Sequence, residues 1–417
     1  MSSEFNKEKF FGWRMIITAN LIDFISAGLA FYAFTAVFSG FLLEEFSTSR
    51  FLVSLTISVL LASAGVFSPI MGFFLDRFPI RKILAIGAIL FGLGLILLST
   101  VKNLTQFLLI YGTLVASGMT IFGNLSSAKL ISNWFKEKIG TALGYASIGL
   151  SMSGVIIPPI AVFLISIVGW RNTYLIFGVF VLIVCSILSF IFVIDKPSDV
   201  NQHPDGNSIK DIEIETQIVK EKTFLEILAV RSFWLLVIIF SLQITANLGV
   251  YTQISLFAQD LDYSPLQASW IYSVAAFHAA LGKIVFGKLL DYLGPRRALW
   301  ISLLCHGLGI ATLIFSQNLY TLLFSVSIMG LGLGGSIPLM NSTFSIAFDN
   351  VNFGKARGLA VPCMVPMQIV AAPLSGWFYD IYGNYTLAFS INVFLCVLAG
   401  IIVFFLQLPE RKLENSS

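Results

Sequence analysis

Long uncharged apolar runs are the feature that most constrains how this 417-residue chain folds. Residues 83–101 and 173–194 contain no Asp, Glu, Lys or Arg. About 18 apolar residues are enough for a helix to cross the hydrocarbon layer of a membrane. Hydrophobic residues make up 57% of the chain and charged residues 11%, which are too few charges to cover a soluble protein of this length. The sequence therefore predicts a polytopic membrane protein.

The spacing of charges, prolines, glycines and polar clusters divides the chain into twelve spans. Runs this long and this continuously apolar favour helices over the strands of a barrel, so the predicted fold class is an all-α membrane protein. The first run lacks a small-residue cleavage site and is interpreted as a retained helix. The predicted spans are 13–40, 51–75, 83–100, 106–133, 139–168, 171–194, 233–257, 266–290, 298–315, 320–346, 358–380 and 385–407.

Lysine and arginine are distributed unevenly between the two sides of these spans. The N-terminal tail, the loops after even-numbered spans and the C-terminal tail hold 19 of them, whereas the other side holds only Arg50, Lys102 and Arg171. Because cytoplasmic loops carry the excess of positive charge, both termini are predicted to be cytoplasmic. The localisation predicted is a plasma or inner membrane.

One long polar segment, Asp195–Lys222, separates the sixth span from the seventh. It is rich in Pro, Asp, Asn and Lys, a composition typical of a flexible linker. The chain is thus predicted to consist of a six-helix bundle at residues 1–194, a cytoplasmic linker at 195–232 and a second six-helix bundle at 233–417.

A charged loop occurs twice at matching places. "GFFLDRFPIRK", Gly72–Lys82, follows the second span, and "GKLLDYLGPRR", Gly287–Arg297, follows the eighth, 215 residues later. In both copies Asp stands four residues after Gly, and two basic residues follow the Asp at five and six positions. Two six-helix bundles of the same orientation are the plan of many transporters, whose substrate site lies near the middle of the membrane between the halves.

The first loop resembles the signature loop of the major facilitator superfamily, except that Pro79 stands where that family has Gly. The second copy keeps the Gly as Gly294 but has Tyr292 in place of Arg. Together with twelve spans, the two copies make the resemblance cover the whole chain. It implies two pseudo-symmetric six-helix bundles that alternate in exposing a central site.

The same resemblance assigns a gating role to the charged residues of the two loops. A carboxylate at the end of a helix can bind the N-terminus of a neighbouring helix in one arrangement of the bundles and release it in the other. The alternative is that the basic residues act only as positive anchors on the cytoplasmic side. The residues concerned are Asp76, Arg77, Arg81 and Asp291.

Several stretches narrow the resemblance to the monocarboxylate and oxalate/formate porters. They are "NWFKEKIGTALGYASIGLSMSG" at Asn133–Gly154, "GWRNTYLIFG" at Gly169–Gly178, the opening "FGWR", and "FLEILAVRSFWLL" before the seventh span. The fifth span has Pro158-Pro159 where drug/proton antiporters of the superfamily carry a Gly-Pro-x-x-Gly-Gly element. The resemblance thus favours small organic anions as cargo over drugs.

Ionisable residues inside spans are functional candidates because each costs about 2.5–3.5 kcal/mol at mid-membrane on insertion scales. Lys283 lies eight residues before Asp291 and shares a helical stripe with Tyr272. In the porters named above, a basic residue four positions before the loop glycine, here Gly287, binds the substrate carboxylate. The alternative is a lysine whose ammonium reaches the membrane surface.

Asp23 is the one acidic residue deep in a span, and a carboxylate in a desolvated cavity can carry a proton coupled to the substrate. It can also pair with Lys283 when the site is empty, or serve only as a hydrogen-bonded structural residue. His278 is a second candidate for proton transfer, although a packed histidine is the simpler interpretation. Weaker candidates for a polar cavity wall are Gln243, Asn247 and Tyr251 on one face of the seventh span, together with Asn124 and Tyr145.

These features predict a secondary carrier of small organic anions, driven by protons or by exchange and functional as a monomer in the lipid bilayer. A carrier of a neutral or drug-like solute and a membrane sensor with a carrier fold are the alternatives. No enzyme is predicted, because no metal-spaced cluster, Ser-His-Asp set or nucleotide-binding loop occurs. No cofactor, metal or nucleic-acid partner is expected.

Overall fold

The computed structural model describes residues 10–135, 139–206 and 222–408, and their regular structure is helical throughout. Within these residues, eleven helical stretches are long and apolar enough to cross a membrane. They are α1 Gly12–Phe46, α2 Arg50–Arg77, α3 Ile80–Leu98, α4 Leu104–Trp134, the stretch Thr141–Phe192, α7 Arg231–Asp260, α8 Pro265–Leu293, α9 Pro295–Ile314, α10 Leu319–Phe348, α11 Asn352–Tyr382 and α12 Thr386–Phe404.

The stretch Thr141–Phe192 contains two crossings. Its 52 residues would extend about 78 Å as one straight helix, more than twice the thickness of the hydrocarbon layer. Gly169 interrupts the helix with φ 79° and ψ 163°, a left-handed φ that glycine adopts without steric cost. Residues up to 168 therefore form α5 and residues from 170 form α6. The twelve predicted spans and the predicted boundary between the fifth and sixth are confirmed.

Helices α1–α6 pack into one bundle and α7–α12 into a second. With an even number of crossings, α1 begins and α12 ends on the same side, which we call the terminal face; the other side is the far face. The bundles meet mainly through two helix pairs, α2 with α11 and α5 with α8. The predicted architecture of two six-helix bundles is confirmed.

The start of the linker is packed rather than free. Composition predicted a flexible segment from residue 195, but the carboxylate of Asp195 accepts a hydrogen bond from the backbone N–H of Arg81 at 2.9 Å. Trp134 donates its indole N–H to the carbonyl of Ile194, and Gln202 accepts from the N–H of Phe11. Residues 194–202 are thereby tied to the first bundle by specific polar contacts that composition does not reveal.

Two helices that face the centre of the molecule are irregular. In α1, residues Gly28–Tyr32 and Phe34–Phe38 are π-helical, a wider turn that is often found at functional sites. In α4, Gly123 has φ −109° and ψ −144°, so a new half-helix, Asn124–Trp134, begins in the interior of the span. A Cβ at Gly123 would lie 2.4 Å from the carbonyl oxygen of Met119, so only glycine fits this break.

The two interface pairs touch toward the far face and separate toward the terminal face. A Cβ at Gly154 of α5 would lie 2.9 Å from that of Ala276 on α8, and a Cβ at Gly376 of α11 would lie 2.7 Å from the Arg50 carbonyl of α2. Nearer the terminal face, the same test at four glycines meets no described atom within 4 Å. These glycines are Gly72 on α2, Gly144 on α5, Gly287 on α8 and Gly358 on α11. The space between the bundles is therefore a cleft that opens at the terminal face.

Candidate functional site

The apex of this cleft is marked by Lys283. Its ammonium nitrogen donates a hydrogen bond to the backbone carbonyl of Ser147 on α5, at 3.1 Å, from the opposite bundle. This contact lies between the tight approach of Gly154 to Ala276 and the open positions Gly144 and Gly287. The ammonium thus points across the bundle interface rather than along its own helix to the membrane surface.

Asp23 of α1 lies on the other side of the cleft and is only 1% exposed. Its Oδ2 accepts a hydrogen bond from the amide of Asn124 at 3.2 Å, and Ser127, whose hydroxyl donates to the Ala19 carbonyl, lies nearby. Within the described part of the chain, Oδ1 has no hydrogen-bond partner. A buried carboxylate oxygen without a donor is costly, so this atom is available to a proton or to another donor.

Lys283 and Asp23 interact electrostatically across the interface. One charge belongs to the second bundle and the other to the first. Opposite charges attract more strongly in an apolar surrounding than in water, because the effective dielectric constant is lower. The cleft therefore contains two opposite charges, one on each bundle, and a relative motion of the bundles would change the attraction between them.

Three tyrosines close the cleft on the side of the far face. The Tyr272 hydroxyl lies 2.6 Å from Oγ1 of Thr35, which joins α8 to α1. The ring centroid of Tyr272 is 4.6 Å from that of Tyr251 and 6.2 Å from that of Tyr32. Both bundles contribute to this cluster, which closes the cleft three helical turns from Lys283.

The other candidates for a polar wall lie in different surroundings. Tyr145 is 51% exposed and lies beside the opening, where its carbonyl accepts a hydrogen bond from Asn20. Gln243 is fully buried and donates to Ser302 of α9, so the second bundle holds its amide. Asn247 is half-buried, and its Oδ1 has no partner among the described residues.

His278 is not brought to the Lys283 site. Its Nδ1 lies 2.9 Å from the carbonyl of Val274, one turn earlier on α8, and its ring is edge-on to that of Phe277 at 5.6 Å. Phe277 is 45% exposed, as expected for a residue on the outside of the bundle. These contacts hold the imidazole against its own helix.

The predicted gating residues lie at the open end of the cleft. The Arg77 guanidinium stacks on the ring of Phe73 at 3.8 Å, and that of Arg81 is 3.9 Å from Asp195. Asp291 is exposed at the end of α8. The side chain of Asp76, the fourth predicted gating residue, lies outside the described part of the structure.

At the far face, a polar cluster joins the two bundles. The Arg50 guanidinium binds both oxygens of Asp260, at 2.8 and 2.5 Å, and donates to the Tyr385 hydroxyl at 2.5 Å. It also stacks on the ring of Tyr379, 3.6 Å from the centroid. Arg50 begins α2 of the first bundle, whereas its three partners belong to the second.

Asp380 adds a second kind of contact at the same place. Its carboxylate accepts hydrogen bonds from the backbone N–H groups of Arg50 and Phe51, at 3.0 and 2.9 Å. These amides belong to the first turn of α2, where helix N–H groups have no intrahelical partner and favour negative charge. We refer to Arg50, Asp260, Tyr379, Asp380 and Tyr385 together as the Arg50 latch.

Sequence reasoning did not identify the Arg50 latch, the tyrosine Tyr32 or the break at Gly123. In the sequence, Arg50 is distinguished only as one of three basic residues on the side opposite the termini. That scarcity was itself a signal, because an arginine retained on the sparsely charged side of a membrane protein needs a partner. The partners, at positions 260 and 380, are too distant in sequence for a local pattern to indicate.

Among the described residues, no group of three His, Cys, Asp or Glu side chains is arranged to hold a metal ion. Two helical bundles around a charged cleft that opens at one end define a secondary transporter. The chain belongs to the Major Facilitator Superfamily, whose sequence pattern matches residues 22–264 and residues 246–417. It is therefore a transporter and not an enzyme, as the sequence predicted.

Several relatives are similar over nearly the whole chain. An uncharacterized MFS-type transporter, YcxA of Bacillus subtilis (strain 168), is 24% identical and covers 89% of this chain and 90% of its own. Monocarboxylate transporter 13 of Rattus norvegicus is 26% identical, and the match covers 94% of this chain and 88% of that protein. Monocarboxylate transporter 1 of Mus musculus is 23% identical, and the match covers 94% of this chain and 84% of that protein.

A solved structure shares the fold. It is a bacterial homolog of the human lysosomal transporter Spinster, in an inward-facing and unoccupied conformation, and it superimposes with a TM-score of 0.77 at 15% identity. The match covers 96% of this chain and 97% of that one. The likeness extends over both bundles and supports the fold.

Proposed function

We propose that the protein carries small organic anions, in particular monocarboxylates, across the membrane by alternating access, coupled to protons or to a counter-anion. The observation that carries this proposal is the position of Lys283. An ammonium group at the apex of the cleft, bonded to a backbone carbonyl of the opposite bundle, offers a charged donor where a substrate carboxylate enters.

The chemistry of the ammonium fits this role. It has three donors, and Ser147 accepts from one of them. A carboxylate can accept from the others and gains from the low dielectric of the cleft. Lysine acts here as a compact point charge, which places less demand on the geometry of the anion than the planar fork of arginine does.

Asp23 supplies a means of coupling. An anion bound at Lys283 weakens the attraction between Lys283 and Asp23, and the Asp23 carboxyl then takes up a proton more readily. Anion and proton would load together and leave together, which is symport. If Asp23 stays charged throughout, no proton accompanies the anion, and coupling is then by exchange with a counter-anion, which is antiport.

The relatives support a carboxylate as cargo. Two of those described above are named monocarboxylate transporters, and both align over 94% of this chain. They are 23–26% identical to this chain, and the experiment below therefore compares several carboxylates.

The proposal also includes an orientation. The excess of Lys and Arg on the terminal face places that face in the cytoplasm of a plasma or inner membrane. The cleft is then open inward, and Asp76, Arg77, Arg81 and Asp291 are positioned to act when it closes. The transporting unit is the monomer, with bundles at residues 1–194 and 233–417 joined by the segment 195–232.

Uptake into proteoliposomes tests the cargo. Purified protein is assayed with radiolabelled lactate, pyruvate, formate and oxalate, with and without an inward proton gradient. We expect uptake of at least one anion, a loss of 100-fold or more in Lys283→Ala, and partial retention in Lys283→Arg. Lys288→Ala is the matched control, because Lys288 is exposed on the same helix five residues further on.

Three other outcomes would contradict the proposal. Uptake of a neutral or drug-like solute instead of anions would support a different carrier. Anion binding without uptake would support a sensor. Anion uptake that is unchanged in Lys283→Ala would remove this lysine from the binding site.

A further inference from the structure

The broken helix α4 lies against Asp23. The half-helix Asn124–Trp134 begins next to the carboxyl group, because Gly123 interrupts α4 at that depth. Asn124 is its first residue and donates its side-chain amide to Oδ2 of Asp23 at 3.2 Å. Ser127, one turn further on, lies near the carboxyl group and donates its hydroxyl to the Ala19 carbonyl.

We infer that Asn124 and the N-terminus of this half-helix are positioning elements for the proton-carrying carboxyl of Asp23, and that Asn124 does not bind the substrate. The inference deepens the proposed function, on which it rests. A helix begun inside the membrane presents N–H groups without intrahelical partners and the positive end of its dipole. Both favour a carboxylate over a neutral carboxylic acid.

Two features of Asp23 support this assignment independently of the helix end. The residue is 1% exposed, so water does not stabilise its charge. Its Oδ1 has no hydrogen-bond partner in the described structure, so one oxygen is fixed by Asn124 while the other remains available to a proton. The two oxygens therefore have different functions.

Among the described residues, few charged or ionisable groups surround Asp23. Lys283 of α8 is the charged group that acts on it from the second bundle. Lys129 on the half-helix, Tyr145 on α5 and Tyr32 further along α1 are ionisable groups on the segments packed around this part of α1. A change at Asn124 leaves all four in place, so its effect on proton binding is separable from theirs.

Infrared difference spectroscopy on the full-length protein in lipid provides the test. The carboxylic-acid band of Asp23, assigned by its loss in Asp23→Asn, is titrated with pH and needs no substrate. We expect Asn124→Leu to move the midpoint upward by about one pH unit, a roughly tenfold gain in proton affinity, because the charged form loses a donor. Asn124→Gln, which retains the amide, should recover part of this shift.

Asn20→Ala is the matched control. Asn20 lies one turn before Asp23 and donates to the Tyr145 carbonyl, so its loss should leave the midpoint unchanged. The pH profile of lactate uptake should move with the band in Asn124→Leu, with a smaller change in KM than in Lys283→Ala. An unchanged midpoint in Asn124→Leu would overturn the inference, as would a shift of equal size in Asn20→Ala.

The same experiment separates this inference from the proposed function. A normal shift of the band without uptake of any tested anion would support the role of Asn124 and contradict the proposed cargo. If anions are taken up but neither the pH profile of uptake nor the Asp23 band responds to Asn124→Leu, the proposed cargo would be supported and the role of Asn124 contradicted.

Discussion

The two ends of the cleft differ in what joins the bundles. At the far face, the Arg50 latch connects α2 to α7, α11 and α12 through an ion pair, hydrogen bonds and a stacked guanidinium. At the terminal face, the corresponding ends of α2 and α11 carry Gly72 and Gly358, which face open space among the described residues. The closed end is thus held by polar contacts in addition to the packing of the helix pairs and the tyrosine cluster, and an alternating-access cycle must break these contacts to open that end.

Two aspartates, one at each face, illustrate this difference between contacts that join the bundles and contacts within one bundle. Asp380 caps the first turn of α2 from the opposite bundle, whereas Asp195 caps the first turn of α3 from within its own bundle. The chemistry is the same, a carboxylate on helix N–H groups. Only the first contact holds the bundles together, so we expect only its loss to change which end of the cleft is open.

The largest effect is expected from Arg50→Ala. It removes a bidentate ion pair, a hydrogen bond to Tyr385 and the stacking on Tyr379. Together these contacts contribute about 3 kcal/mol, so the population that is open at the far face should rise about 100-fold. A cysteine at Ser54, which is buried beneath the latch, should react about 100-fold faster with an impermeant maleimide. The four native cysteines are first replaced by alanine.

Arg171→Ala is the control for this measurement. Arg171 also pairs with a carboxylate at the far face, Glu45, but both residues belong to the first bundle. Equal labelling in Arg50→Ala and Arg171→Ala would show that the latch does not keep this end closed.

A smaller effect is expected from Gly376→Ala. The new Cβ would lie 2.7 Å from the backbone carbonyl of Arg50, so α2 and α11 must separate, at a cost of about 1–3 kcal/mol. Labelling at residue 54 should rise about tenfold. Gly72→Ala, whose Cβ meets no described atom within 4 Å, should leave labelling unchanged, and a rise there would contradict the comparison.

Asp380→Asn should have a still smaller effect. The amide keeps one acceptor oxygen but loses the negative charge at the start of α2, about 0.3–1 kcal/mol. Hydrogen–deuterium exchange of the Arg50 and Phe51 amides should accelerate about threefold. Asp262→Asn provides the control, since Asp262 is exposed nearby on the far face. Equal acceleration in the two variants would argue against a specific cap.

Asp195→Asn should have the smallest effect on the state of the cleft. Burial raises the pKa of the Asp195 carboxyl, although the N–H and guanidinium of Arg81 oppose this. A carboxyl with a raised folded pKa makes folding more favourable at acid pH, and this contribution is lost as pH rises through the folded pKa. At neutral pH, the free energy of unfolding of the asparagine variant should therefore lie within about 1 kcal/mol of the parent's value. In the acid range, this free energy should depend less on pH than it does in the parent.

Labelling of residue 54 serves as the control for Asp195→Asn and should not change. A marked rise in labelling would mean that Asp195 also acts between the bundles.

The sequence predicted most of the fold because apolar length and charge position are local properties. It placed the boundary between the fifth and sixth spans beside Gly169, where the structure breaks the helix. It also selected Lys283 and Asp23, since a charge within an apolar run is conspicuous, and the structure brings both to one cleft.

The sequence could not predict contacts that join distant parts of the chain. Arg50, Asp260 and Asp380 are ordinary helix-end residues until the two bundles meet. The break at Gly123 could not be predicted either, because glycine is common inside membrane spans. Only the structure shows that the Met119 carbonyl oxygen leaves no room for a Cβ at this position. Asn124 was interpreted as part of a cavity wall because its contact with Asp23 depends on that break.

The anchored ends of the interdomain segment set the length of its tether. Residues 204–206 still contact the first bundle, and Lys222 donates its backbone N–H to Asn352 of the second, so about 16 peptide links separate the two anchors. Fully extended, about 16 residues reach about 55 Å, well beyond the displacement that a rocking motion requires. The covalent length of the connection therefore does not by itself limit such a motion, whose range is set by the surfaces that meet.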